Sequence, residues 1–217
     1  MKKLTLAVAL LLSFALAGSA SAANSLAVTA GAALNGTNFG LAVSTDGSAN
    51  NVFVQSDHPT DETHYLIRFW LNPSTVSIDP NTSIRIGAIG DDGAAGQHVV
   101  FFLRHDVPVA GTPQYTVNAW RKDDAGTFVF ANNLFHTFVS GAAARQYEFE
   151  WTRSTGVNTN DGSFRMTRLN PTVVTKTNSN LDNDTLQADN IRIGILSGSG
   201  VNGNSGSFFF DEFESYR

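Results

Sequence analysis

Glu148 and Glu150 flank Phe149 within the run Gln146 to Thr152, which alternates apolar and polar residues in the manner of a strand. Both carboxylates then project from one face, separated by roughly 6.5 to 7 Å. That spacing suits general acid and base chemistry on a glycosidic bond. The competing assignment is a solvated strand face, opposite Tyr147, Phe149 and Trp151. The five histidines are scattered, with no Gly-x-Ser-x-Gly elbow or His-x-x-x-His pair beside them, so neither a triad nor a zinc hydrolase is supported. No catalytic residue is assigned on this basis.

Tryptophan and arginine offer a different chemistry. Trp70 lies opposite Tyr65, Ile67 and Phe69 and shares its side with Arg68; Trp120 lies opposite Tyr115 and Val117 and shares its side with Asn118. An indole beside hydrogen-bonding side chains on an open sheet face is a platform for stacking sugar rings. Arg68, Arg85 and Arg192 would add planar donors for hydroxyls or carboxylates if their strands sit together. The alternative is that each Trp is packed and each Arg pairs with Glu148, Glu150 or an aspartate. On the last strand, Asp211 is expected to share its face with Phe209 and Phe213, so its carboxylate should be partly buried and need a partner, either calcium or an arginine. Asp182 and Asp184 form a second oxygen-rich loop, but Gln187 stands where an EF-hand requires glycine, so that motif fails.

The elements that must position these groups are nearly all strands. Alternating or apolar runs recur at Gly40 to Ser44, Asn51 to Gln55, His64 to Leu71, Ser83 to Ile89, His98 to His105, Gln114 to Arg121 and Thr127 to Ala131. They continue at Gln146 to Thr152, Ser163 to Leu169, Thr172 to Lys176, Asn190 to Leu196 and Ser207 to Phe213. Turn signals punctuate them: Asp46-Gly47, Asn72-Pro73, Asp91-Asp92-Gly93, Gly111-Thr112-Pro113, Asp161-Gly162 and the Gly/Ser/Asn-rich stretch Ser197 to Ser207. No segment sustains a helical period, and this pattern predicts an all-β sandwich or jelly roll. Two strands share a string, Ser83-Ile84-Arg85-Ile86-Gly87 and Asn190-Ile191-Arg192-Ile193-Gly194, which reads as two similar environments rather than a solenoid repeat.

Met1, Lys2 and Lys3, the apolar run Leu4 to Ala17 and the small residues Ala20, Ser21 and Ala22 match a secretory signal peptide, which predicts cleavage after Ala22 and a mature domain over 23–217. No later apolar segment is long enough to span a bilayer. Without the two leader lysines, 12 basic residues stand against 19 acidic ones, a formal charge of −7, which argues against nucleic acid or an anionic membrane as partner. The chain has no cysteine, so an exported form has neither disulfides nor thiolate metal sites.

Asp161-Gly162-Ser163-Phe164-Arg165-Met166, then Leu181-Asp182-Asn183, Ile191-Arg192-Ile193-Gly194, a Gly-rich loop and Phe210-Asp211-Glu212-Phe213-Glu214-Ser215 resemble the C-terminal half of concanavalin A-like, laminin-G-like jelly rolls of secreted bacterial proteins. Phe39-Gly40-Leu41 and Tyr65-Leu66-Ile67-Arg68-Phe69 resemble the early strands of that group. The resemblance implies a two-sheet antiparallel β-sandwich with one concave face and a bias toward glycan recognition. It also implies a structural calcium (Ca2+) held by an acidic residue of the final strand, the place that Asp211 takes here. Arg168-Leu169-Asn170-Pro171 departs from the hairpin of many relatives, and Thr152-Arg153-Ser154 replaces the third acidic residue of laminarinase-like enzymes. The expectation is therefore a secreted or periplasmic, monomeric, non-catalytic lectin-like module. It would bind polysaccharide or a cell-surface glycan through Arg68, Trp70, Arg85, Trp120 and Arg192. The alternatives are a structural or adhesive envelope-associated protein and a glycoside-active enzyme using Glu148 and Glu150.

Overall fold

A computed structural model describes residues 23–73, 75–91, 96–109, 112–137, 143–197 and 204–217. The leader at 1–22, the turn residues Asp92, Gly93 and Gly111, and residues 198–203 of the Gly/Ser/Asn-rich loop lie outside the described residues. Thirteen strands run in chain order: β1 Ser25–Thr29, β2 Gly40–Thr45, β3 Val52–Glu62, β4 His64–Asn72, β5 Ser83–Gly90, β6 Gln97–Val109, β7 Thr112–Lys122, β8 Phe128–Thr137, β9 Arg145–Thr152, β10 Gly162–Arg168, β11 Val174–Leu181, β12 Ala188–Ser197 and β13 Gly206–Tyr216. Every run expected from the sequence corresponds to one of them. The additional strand is β1.

The strands form two antiparallel sheets, one of seven in the order β1-β2-β13-β4-β9-β10-β11 and one of six in the order β3-β12-β5-β6-β7-β8. The chain is thus an all-β jelly-roll sandwich of concanavalin A-like architecture. Among the described residues, no helix is long and apolar enough to cross a membrane.

Alternation explains how the sheets meet. On β4, Tyr65, Ile67, Phe69 and Leu71 are buried, while the residues between them are only partly covered. Tyr147, Phe149 and Trp151 do the same on the neighbouring β9. Phe101 of the opposing sheet packs on Phe149 with ring centroids 4.2 Å apart, which locks the sheets across an aromatic core.

The last strand corrects one expectation. Phe208 and Phe210 face the core, whereas Phe209 is only partly buried; Asp211 is buried as expected, but next to inward Phe210 and not on a face shared with a core Phe209. The register shifts between Asp211 and Glu214, and Glu212 adopts φ 46°, the left-handed conformation of a residue absorbed in a bulge. In an uninterrupted Phe-Phe-Phe run, periodicity does not say which residues face inward.

Candidate functional site on the six-stranded sheet

The five residues expected to form one binding face lie on two. Arg68 and Trp70 belong to β4 of the seven-stranded sheet, whereas Arg85, Trp120 and Arg192 belong to β5, β7 and β12 of the other. The sandwich core lies between the two groups, so the single groove expected from the sequence does not form.

On the outer face of the seven-stranded sheet the charges neutralise one another. Arg68 donates to Glu148 at 2.7 Å and to Glu214 at 3.4 Å; Arg165 reaches Glu148 at 3.2 Å and Glu150 at 2.7 Å; His64 lies 2.9 Å from Glu150. Glu148 is 8% exposed, enclosed by the guanidinium groups that flank it. Both members of the carboxylate pair are engaged by arginine and brace β4, β9 and β10 instead of flanking open space for a glycosidic bond. Trp70 is partly covered, with its indole N–H enclosed and lacking an acceptor. Here the packed-residue alternative describes the geometry better than a sugar platform does.

The outer face of the six-stranded sheet differs. Arg192, Ala88, Val100, Trp120 and Phe130 follow one another laterally across β12, β5, β6, β7 and β8. Trp120 is 39% and Phe130 48% exposed, and their rings meet edge to face at 6.4 Å. Phe102 meets Trp120 at 6.2 Å from the other side. Beside the rings Ala88, Val100 and Leu196 form a small buried cluster, against which Phe102 and Phe128 pack. Ser83, Phe102, Arg104, Asn118, Trp120 and Phe130 line a depression of about 130 Å³. Asn118 is 8% exposed, and its amide oxygen is buried without a partner. Arg85 lies 5.5 Å from the Phe102 ring and 6.0 Å from Phe128, and it donates to Gln97 Oε1 at 2.8 Å. Burial lowers its pKa. The sequence reading misses Phe102, Phe128 and Phe130: alternation in β6 places Phe102 opposite Phe101 and Leu103, but in β8 Phe128 and Phe130 share the parity of buried Leu134 and His136 and turn outward through the register shift at Ala131.

Asp211 does not fit a cation. Its carboxylate accepts the backbone N–H of Leu34 at 2.6 Å, the Thr37 hydroxyl and the backbone N–H of Glu212 at 2.8 Å. Those donors take three of the carboxylate's roughly four lone-pair sites, including both on Oδ2, and they pin the 30–37 segment to β13. The oxygen-rich cluster among the described residues lies elsewhere: ligand atoms of Asp124, Asp182 and Asp184 fall within 4.8 Å of one another. Burial and the carboxylates of Asp124 and Asp182 raise the pKa of Asp184. Asp124 is already committed in part, accepting the Thr185 hydroxyl at 2.6 Å. Asp211→Ala is expected to cost roughly 1–3 kcal/mol, because the Leu34 N–H is left buried and unpaired. Thermal unfolding with calcium and with chelator should show the same loss in both, whereas calcium bound at the aspartate cluster would raise Tm in the variant and in the wild type alike.

The two-sheet jelly-roll sandwich is the level at which comparison with known proteins agrees. No family model and no curated protein sequence matches the chain. Among solved structures it is similar to an endo-β-1,4-glucuronan lyase from the fungus Trichoderma reesei, with TM-score 0.59 and 13% identity over 90% of this chain and 87% of that one. It is similar to the cellulose-induced protein Cip1, with TM-score 0.56 and 11% identity over 90% and 86%. It is also similar to a family 7 alginate lyase, A1-II′, with TM-score 0.51 and 12% identity over 83% and 78%.

Proposed function

We propose that this protein is a non-catalytic, exported module that binds an acidic polysaccharide on the outer face of its six-stranded sheet. The observation that carries the proposal is Asn118: a buried amide oxygen without a partner, beneath a depression walled by Trp120, Phe102 and Phe130. Leaving such an acceptor unpaired costs roughly 1–3 kcal/mol, and a sugar hydroxyl stacked between the rings would satisfy it. The preference for acid follows from Arg85 and Arg192, which, among the described residues, are held by the side-chain oxygens of Gln97 and Gln55 and make no direct ion pair with a carboxylate. The polysaccharide class is supported by the lyases of glucuronan and alginate that share the fold.

Affinity electrophoresis of the mature protein in gels containing a polyuronate tests this. Wild type should be retarded, and Trp120→Ala and Asn118→Ala should each lose roughly tenfold or more in affinity at near-wild-type Tm. Absence of retardation by any acidic or neutral glycan would refute the proposal. A second assignment, to an adhesive or scaffold protein, draws on an apolar cleft of about 330 Å³ at the sandwich edge, lined by Val28, Phe39, Leu41, Val54, Ile193 and Phe213 together with Asp211 and Glu212. Val28 and Phe39 are 75% and 61% exposed there, and apolar exposure on that scale suits a protein contact.

A further inference from the structure

The shared string Ile-Arg-Ile-Gly is not a coincidence of composition. Its two copies lie side by side on antiparallel neighbours, β5 and β12, with Ile193 opposite Gly87 and Arg192 opposite Ala88. In each copy both isoleucines enter the core, leaving the arginine between them on the outer face. Each glycine then stands at a shift of strand register. At Gly87 a Cβ would come within 2.8 Å of the Phe101 ring; at Gly194, where φ is +140°, it would come within 2.3 Å of the Val52 carbonyl oxygen. The glycines are therefore required by the local backbone, and the bulges allow Arg85 and Ala88, three residues apart, to face the same side.

The surroundings are duplicated as well. The Arg85 guanidinium lies 5.5 Å from Phe102 and donates to the Gln97 side-chain oxygen at 2.8 Å. The Arg192 guanidinium lies 5.2 Å from Phe53 and donates to the Gln55 side-chain oxygen at 2.6 Å. A phenyl ring and an amide oxygen orient each guanidinium without neutralising it, leaving donors free for an anion. Arg68 and Arg165 on the other sheet show the contrast, since both are consumed by glutamates. One strand and three residues separate the Cα atoms of Arg85 and Arg192, a distance of about 11 Å.

We infer that the two strings form a duplicated anion-reading station, which grips an extended acidic polysaccharide at two anionic groups about a disaccharide apart. The inference rests on the glycan-binding proposal above and specifies how the polymer is held. Carboxylate and sulfate share the oxygen geometry that the guanidinium fork recognises. Once one station is occupied, the other binds intramolecularly, so polymer affinity should exceed that of a single sugar acid by far.

The experiment titrates wild type, Arg85→Gln, Arg192→Gln and the double variant with a polyuronate, a sulfated glucan and a neutral β-glucan at low and high salt. Each single substitution should weaken polyuronate binding roughly tenfold and flatten its salt dependence, the double variant should lose about the product, and neutral glucan binding should not change. Comparison of the first two polymers identifies the anion. With a monomeric uronate, which reaches one station only, the two losses should no longer multiply. Arg85→Lys and Arg192→Lys, which keep the charge and lose the fork, control for folding and should recover part of the affinity. Loss from Arg85→Gln with none from Arg192→Gln would overturn the paired station while leaving glycan binding intact. Binding of the neutral glucan alone would do the same, and no binding by any of the three would overturn both.

Discussion

Urea unfolding at pH 4.5 is expected to show roughly 5 kcal/mol less stability than at pH 7, with the decline beginning near pH 6.5. The cause is a pair of histidines trapped between the sheets. His98 is fully buried against Trp151, with ring centroids 4.8 Å apart, and burial depresses its pKa from 6.5 to about 4. His136 is equally buried, with Nδ1 3.3 Å from the Tyr147 hydroxyl. Its pKa falls to about 3, first through burial and then through Arg145 and Arg168. Both folded pKa values lie below the unfolded one, so between pH 6.5 and about 4 the unfolded chain binds more protons. Stability is complete above that window and is lost as pH falls through it. Each histidine contributes roughly 2.5 kcal/mol at pH 4.5, together a large share of the stability of an ordinary domain. Asp161 does not overlap this window. Hydrogen bonds from Thr155, Ser154 and Thr159 hold its carboxyl well below the usual range, so its contribution is lost only under stronger acid. His98→Leu should remove about half of the decline whatever it does to stability at pH 7. A wild-type stability independent of pH from 7 to 4.5 would contradict the mechanism.

The strands were legible because nearly all of them alternate, and their inward faces followed from parity: Tyr65, Ile67, Phe69 and Leu71 are buried as that pattern requires. β1 was not, since it is only five residues long, with Leu26 half-buried and Val28 exposed. Parity also failed at Phe208-Phe209-Phe210, where each residue is apolar and a bulge follows. The deeper limit concerns the site. Local periodicity tells whether Trp70 or Trp120 faces away from the core, but the sheet that receives each strand depends on pairing between distant segments, such as β4 with β9 and β5 with β12. Five outward residues therefore looked like one face and proved to be two. The same limit hid the Ile-Arg-Ile-Gly pair, whose copies are far apart in sequence and adjacent in space.

The two outer faces solve opposite problems with the same residue type. On the seven-stranded sheet, glutamates at alternate positions of β9 meet arginines of β4 and β10, an arrangement that braces the strands and leaves little net charge to attract a ligand. On the six-stranded sheet Arg104 and Arg121 pair with Asp106 and Asp123, whereas Arg85 and Arg192 are flanked by phenylalanines and glutamines and, among the described residues, make no ion pair. For a chain whose net charge is negative, two such cations on one aromatic surface mark where an acidic polymer would be tolerated, because repulsion disfavours its approach elsewhere.

Trp151→Ala and Trp120→Ala should separate the packed core from the binding face. Trp151 is fully enclosed on β9 and packed against the tilted ring of His98, so removing its indole leaves a cavity between the sheets and should cost roughly 3–5 kcal/mol. The cavity would also admit water to His98, so the acid decline of this variant should be shallower than in wild type. Trp120 is 39% exposed and touches Phe102 and Phe130 only through ring edges, so its replacement should cost about 1 kcal/mol or less in stability while removing the wall of the Asn118 depression. Differential scanning calorimetry beside polyuronate binding reads both effects at once. If Trp120→Ala destabilises as much as Trp151→Ala, the exposed aromatics of the six-stranded sheet are a packed surface, and their apparent fitness for sugar is a by-product of stability.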